Sequence, residues 1–336
     1  MRYIVLRFLL IIPTVFILVS MVFIVMRGIG DPITAAQGGR LPAEELARRI
    51  HEAGYDRPVL VQYLEYLGQI IRGDFGRTLT TNQTIGELFA TYGVATLELS
   101  IYAVIVALLV GIPLGMLAAK FRDRGTDVAA RIFAILAYAT PVFFVGLLLK
   151  LVFGVVFPIL PIAGRASIGT ELVLHQIPGS SGFFLFDALR TGDPGIIGDV
   201  LSHAVLPALA LGLLTAGVFL RLVRTNMIGT LNTDFVDAAR SRGVSEFRLV
   251  TKHAYRPALV PVITVIGMQI AVLLSGAVLT ETTFEWKGLG FQLAEFLNGR
   301  DFVAVQGIVA LLAVIVAVTN FIVDVIAALI DPRITY

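Results

Sequence analysis

Six runs of this 336-residue chain are apolar over lengths that match about 30 Å of hydrocarbon: 8–26, 97–119, 132–149, 204–222, 259–279 and 302–326. Within hydrocarbon, backbone amides find no water to bond, so each run predicts a helix. The fold class expected is an all-α polytopic membrane protein with six transmembrane helices. The first run follows Arg2 and Arg7, is a full span long and lacks a convincing small-residue cleavage site, so it reads as an anchor and not a signal peptide.

Polar positions concentrate between the fourth and fifth runs. There the chain reads DFVDAARSRGVSEFRLVTKHAYRPAL from Asp234 to Leu259. Asn232, Thr233 and Asp234 offer N-cap side chains, and Gly243 stands where a left-handed residue would end a short helix. Ser245 and Glu246 suit the first turn of a second helix, Phe247, Val250 and Ala254 recur at helical spacing, and Pro257 is expected to end it. Arg240, Arg242, Arg248, Lys252 and Arg256 would surround a small apolar face that includes Phe235 and Phe247. A helix, a sharp turn and a helix make a protein-docking shape, although a basic loop in a polytopic protein also follows from topology alone.

Composition agrees with the membrane reading. Hydrophobic residues make up 57% of the chain and charged ones 15%, and the mean hydropathy is +0.87, far from the roughly 25% charge of soluble domains. An even number of spans puts both termini, the loop 120–131 and the docking loop on one side. Arg2, Arg7, Lys120, Arg122, Arg124, Arg131, the basic residues from Arg221 to Arg256 and Arg333 all lie there, which makes that side cytoplasmic. The net charge of +2 therefore reflects topology and gives no sign of a nucleic-acid surface.

Most site chemistry is missing. Cysteine is absent, and His51, His175, His203 and His253 show no metal-ligand spacing, so no metal is expected. Lys120, Lys150, Lys252 and Lys287 stand in no glycine-rich phosphate loop, and no nucleophile elbow, HExxH or shared acid and base pair is found. The chain is expected to be a non-enzyme that does not itself hydrolyse ATP. Ion-coupled transport needs ionisable groups near the midplane. Here Glu98 begins the second run, Glu281 ends the fifth and Asp324 lies near the inner end of the sixth, while Gln269, Ser275, Gln306 and Asn320 are neutral. Interhelical hydrogen bonding or interfacial placement is the expected role of these residues. A secondary transporter working alone and a membrane scaffold stay open as alternatives.

The run Asp237, Ala238, Ala239, three residues, then Gly243 resembles the EAA-x-x-x-G loop of ATP-binding-cassette (ABC) importer permeases, with Asp in place of Glu. ARSRG followed by KHAYRPAL is similar to the dipeptide and oligopeptide permeases, in the subunit with a long first external region. Further signatures follow in order: YDRPVLVQYLEYL from Tyr55, RGDFGRTL from Arg72, GIPLGMLAA from Gly111, ATPVFFVGLLL from Ala139, LPIAGR from Leu160, TETTFEWKGLG from Thr280, NGRDFVAVQG from Asn298 and DPRI from Asp331. Lys287 replaces a proline usual before the glycine.

The resemblance implies a type I ABC importer permease that moves peptides into the cytoplasm across a bacterial inner membrane. Its partners would be a second, similar permease, two cytoplasmic ABC ATPases that carry ATP and magnesium, and an extracytoplasmic solute-binding protein; this chain would hold no cofactor. Chelated nickel or haem is an alternative cargo within the same architecture. The coupling loop 224–257 would dock through Phe235, Asp237, Ala238, Ala239, Arg240, Gly243, Phe247 and Arg248. Helix weak points at Gly111, Pro113, Gly115 and Pro141, with Gly267 and Gly276 in the fifth run, mark candidate hinges or close packing. Tyr138, Thr140, Phe143, Phe144, Met268, Gln269 and Ser275 are candidates for the pathway wall. The domains expected are a first helix (1–27), an external region with short helices starting after Pro42 and Pro58 (28–95), a five-span core (96–330) and a tail (331–336). Within the core, the outer loop 158–202 carries Asp187, Asp193 and Asp199 as candidate contacts for the binding protein.

Overall fold

The protein is described by a computed structural model that places residues 2–37, 39 and 41–330, with side chains given except at 2–5, 29, 253, 256, 260, 263, 264, 270, 271, 274–276 and 327–330. The DPRI signature and Arg333 lie outside the described residues. Every regular element among those residues is helical, beside a single antiparallel bridge between Arg77 and Thr84. In chain order the helices are α1 (Arg2–Ile29), α2 (Pro32–Gln37), α3 (Ala43–Glu52), α4 (Val59–Ile71), α5 (Ile85–Lys120), α6 (Gly125–Ala139), α7 (Val142–Lys150) and α8 (Ile168–Gln176). They continue with α9 (Phe184–Thr191), α10 (Pro194–Leu231), α11 (Asp234–Ser241), α12 (Glu246–Arg248), α13 (Tyr255–Gly276), α14 (Val278–Phe284), α15 (Leu289–Asn298) and α16 (Phe302–Ile330). By length and apolarity, α1, α5, α10 and α16 can each cross a membrane, and α6 with α7 forms a fifth, bent candidate.

The third run is not the straight helix expected over 132–149. Its axis turns by 102° between α6 and α7, and α7 then passes into a π-helical stretch, Leu151–Val156. Pro141 is the cause: its ring pushes the preceding Thr140 out of the helical region, to φ −88° and ψ 128°.

Contacts divide the chain into two compact units, 1–96 with 287–336, and 97–286. The last predicted span thus groups with the N-terminal segments, and α5 contributes residues 85–96 to the first unit and 97–120 to the second.

In the first unit α1 packs along α16. Phe8 meets Phe321 edge to face at 5.7 Å, and Arg7 pairs with Asp324 at 3.2 Å. α3 and α4 begin directly after Pro42 and Pro58, and α4 holds α1 through Tyr63 and Tyr66, whose rings lie 5.2 Å and 5.5 Å from that of Phe23. The buried Asp301 carboxylate accepts from the amides of Leu79, Thr80 and Ala304, which ties the loop before α5 to the start of α16.

In the second unit α10 is the central helix, against which α6, α7, α9, α13 and α14 pack. Small residues let α5 approach it backbone to backbone. A Cβ on Gly111 would lie 2.8 Å from the Ala216 carbonyl oxygen and the Phe219 Cβ, and one on Gly115 2.8 Å from the Leu220 carbonyl oxygen. Without a hydrophobic drive between helices in lipid, such close packing is a main source of their association. α5 is continuous through Pro113.

Candidate functional site: the charged loop

The charged loop is built onto the end of α10. α11 starts after Thr233, which takes the extended N-cap conformation, but its hydroxyl donates to the Thr230 carbonyl at 2.6 Å and does not cap the helix. Asp234 and Asp237 lie in the first turn, where exposed amides favour negative charge. At the other end Gly243 has φ +79°, its N–H donates to the Arg240 carbonyl, and the Val244 N–H reaches the Ala239 carbonyl at 3.3 Å. This pair of bonds is a Schellman closure. No atom lies within 4 Å of where a Gly243 Cβ would sit, so the requirement for glycine comes from the backbone dihedral and not from crowding.

The second helix departs from expectation. α12 starts after Ser245, passes without a break into a π-helical stretch, Leu249–Ala254, and runs on as α13 through Pro257 and Pro261. Pro257 therefore does not end it. Proline inside a helix lacks an N–H and crowds the carbonyl four residues back, and the π-helical stretch covers that carbonyl's residue, so the widened turn takes up the conflict. The outer half of the loop is thus one continuous helical body with the next apolar helix.

Burial separates anchors from exposed surface. Val236 and Leu249 are fully buried, and Val250, Ala254, Ala258 and Val262 pack with Phe219, Val223 and Met227 of α10. Phe235 and Phe247 remain 48% and 68% exposed, an uncommon state for phenylalanine in a charged segment. Asp237, Ala238 and Arg248 are exposed and Ala239 is half-buried. Arg240 is not a free contact: its guanidinium donates to Asp237 and, at 2.8 Å, to Glu246, bracing α11 against α12 across the Gly243 turn. The Glu246 hydrogen bond, then its charge, holds the Arg240 pKa above its ordinary value.

The loop's root is fixed by Asp127, a fully buried carboxylate at the start of α6 that receives Arg224 of α10 through Nε at 2.6 Å and Nη2 at 2.8 Å. Sequence reading missed this fork, because only the fold brings residues 97 positions apart together.

The candidate pathway residues are brought together only in part. Tyr138, Phe143 and Phe144 cluster as exposed side chains around the α6–α7 bend, and the Thr140 hydroxyl donates back to Leu136 at 2.7 Å. Met268 is exposed and Gln269 half-buried on α13, which packs on α10 as α6 and α7 do. The side chain of Ser275 lies outside the described residues.

The aspartates of the loop 158–202 are engaged within the chain. Asp187 is fully buried, not exposed, and accepts from the Ser180 and Ser181 hydroxyls and the amides of Ser181 and Gly182. Burial pushes its pKa up, but these donors outweigh it and hold the carboxyl below its usual range. Asp193 caps α10 through the Gly195 amide, and Asp199 accepts from Ser167. Among the described residues no group of three or more His, Cys, Asp and Glu side chains could hold a metal ion.

Comparison with known proteins sets this loop in context. Residues 111–336 match the family described as the binding-protein-dependent transport system inner membrane component. The di/tripeptide transport system permease protein DppB of Pseudomonas aeruginosa (strain UCBPP-PA14) is 37% identical over 97% of this chain and 96% of its own. The dipeptide transport system permease protein DppB of Escherichia coli (strain K12) is 36% identical over 100% and 99%. The glutathione transport system permease protein GsiC of Salmonella choleraesuis (strain SC-B67) is 31% identical over 100% and 99%. In fold, the chain is similar to a solved chain of the MetNI methionine ABC transporter, with a TM-score of 0.50 at 15% identity over 70% of this chain and 93% of that one. With relatives aligned from end to end and the family match running from the Gly111 packing site through the charged loop, the chain belongs to the binding-protein-dependent transport system inner membrane components.

Proposed function

We propose that the chain is the permease subunit of an ATP-driven peptide importer, and that the charged loop receives a cytoplasmic ABC ATPase. The observation that carries this is the loop's division of labour: buried Val236 and Leu249 anchor it, while Phe235 and Phe247 stay exposed. The relatives' names, which specify dipeptides, di- and tripeptides and glutathione, favour a peptide cargo.

Six spans follow if the bent α6–α7 pair counts as one and the 22-residue α13 is added to α1, α5, α10 and α16. Both termini and the loop then face the cytoplasm. Phe235, Phe247 and Arg248 form the contact surface, Arg240 braces the turn, and the unbroken helix from α12 into α13 carries rigid-body motion of the ATPases into the membrane. The pathway lies against a second permease, with Tyr138, Phe143, Phe144, Met268 and Gln269 as its walls on this side. The external region 28–95 and the outer loop 158–202 are each a candidate contact for a solute-binding protein.

Purification of the tagged chain from its host membrane in mild detergent tests the assembly. Two P-loop ATPase subunits and a second polytopic permease are expected to stay bound. A chain that stays alone even after crosslinking in the membrane, or peptide uptake that follows an ion gradient and survives ATP depletion, sinks the reading.

A further inference from the structure

A cavity of about 520 Å³ opens beside the charged loop. Ile112, Pro113, Met116 and Leu117 of α5 wall one side, and Phe247 and Val250 the other. The lining is mainly apolar, with Lys120 and Tyr255 as its principal polar heads. The Lys120 ammonium lies 5.2 Å from the Phe121 ring centre and 5.8 Å from that of Phe247. The carboxylates of the adjoining loop are engaged elsewhere, Asp123 with Arg122 at 3.3 Å and Asp127 with Arg224. The cavity continues an exposed apolar stripe of α5 formed by Ile105, Leu109 and Leu117. An apolar slot that merges with this exposed stripe, and ends in an ammonium and a phenol without a carboxylate, fits an acyl chain headed by an anionic group such as a phosphate.

We infer that this cavity holds an acyl chain of an anionic phospholipid whose phosphate sits on Lys120 and Tyr255, wedged between α5 and the loop helix. The inference rests on the proposed topology, which puts this end of α5 at the cytoplasmic leaflet, where anionic lipids and basic residues meet. A partner's helix is a poorer occupant, because a helix about 10–12 Å across would fit only about one turn in this volume. The site couples lipid to mechanism, since Phe247 is at once a wall of the cavity and part of the proposed ATPase contact.

The test is lipid retention by the purified assembly in nanodiscs of equal phosphatidylcholine and phosphatidylglycerol, read by native mass spectrometry after detergent exchange. Phosphatidylglycerol is expected to be enriched in the wild type, and Lys120→Ala to lower its ratio to phosphatidylcholine by about fivefold, the equivalent of one phosphate contact. Lys120→Arg should keep the enrichment, and Leu117→Trp, which fills the slot and leaves the cation in place, should remove it. Equal retention of both lipids, or a ratio untouched by Lys120→Ala, overturns the inference. So does a Leu117→Cys variant that crosslinks to a second permease and not to a photoreactive acyl chain. Should the ATPases fail to copurify, the functional reading falls separately, and the lipid ratio measured on the chain alone still decides the site.

Discussion

Glu98 and Arg165, 67 positions apart in the sequence, form a buried ion pair that clamps the loop 158–202 to α5. The Glu98 carboxylate is fully buried and also accepts from the Tyr102 hydroxyl at 2.7 Å and the Leu185 amide at 2.9 Å. The Arg165 guanidinium donates to the Gly182 carbonyl at 2.8 Å and stacks 3.7 Å from the Phe184 ring centre. Removing one partner strands the other as a buried charge, so Glu98→Ala or Arg165→Ala is expected to destabilise by about 3–5 kcal/mol. Thermal unfolding in detergent checks this. The double variant Glu98→Leu with Arg165→Met should recover much of the loss, and a double variant as unstable as the sum of the singles would contradict a direct pair.

Gly243 provides a test that separates assembly from coupling. Its φ of +79° costs an L-residue about 1–2 kcal/mol, and more for a β-branched one. Gly243→Val is expected to abolish ATP-driven uptake while the helical core stays intact, and Gly243→Asn, which tolerates the left-handed region, to retain most activity. Peptide uptake by right-side-out vesicles loaded with ATP is the measurement. Normal transport in the valine variant would remove the turn from the mechanism.

Packing between α5 and α10 gives a third expectation. Gly111→Leu or Gly115→Leu forces side-chain atoms into space already closed at 2.8 Å, and overpacking of this kind costs about 1–3 kcal/mol or more. The melting temperature should fall for both. A variant that melts like the wild type but no longer transports would make these glycines hinges and not spacers.

Acid sensitivity should trace in part to Asp187. Its folded pKa lies below the ordinary 3.8, so its stabilising contribution is fully present above that value and is lost as pH falls through the lower, folded one. Asp187→Asn should therefore be less stable than the wild type at neutral pH, and the gap should narrow only below about pH 4. A gap that stays constant down to pH 3 would place the effect in shape and not in charge.

The sequence by itself determined the class of the chain. Long apolar runs, the absence of cysteine, the basic loop and the position of Gly243 follow from local chemistry, because hydrocarbon forces helices and a left-handed turn calls for glycine. Helix starts after Pro42 and Pro58 were equally legible. Tertiary structure alone decided what depends on neighbours distant in the chain. Pro257 is absorbed by the π-helical stretch before it, whereas Pro141 turns the helix axis by 102°. Both are prolines after a helical run, and nothing local distinguishes them. Likewise Glu98, Asp127 and Asp187 look like ordinary polar residues at helix ends or in a loop, until the fold buries each carboxylate among donors. The reason is that burial and pairing belong to the packed arrangement: a charge's partner is chosen by which helices meet, and the apolar runs that send the helices into the membrane do not encode which ones will touch.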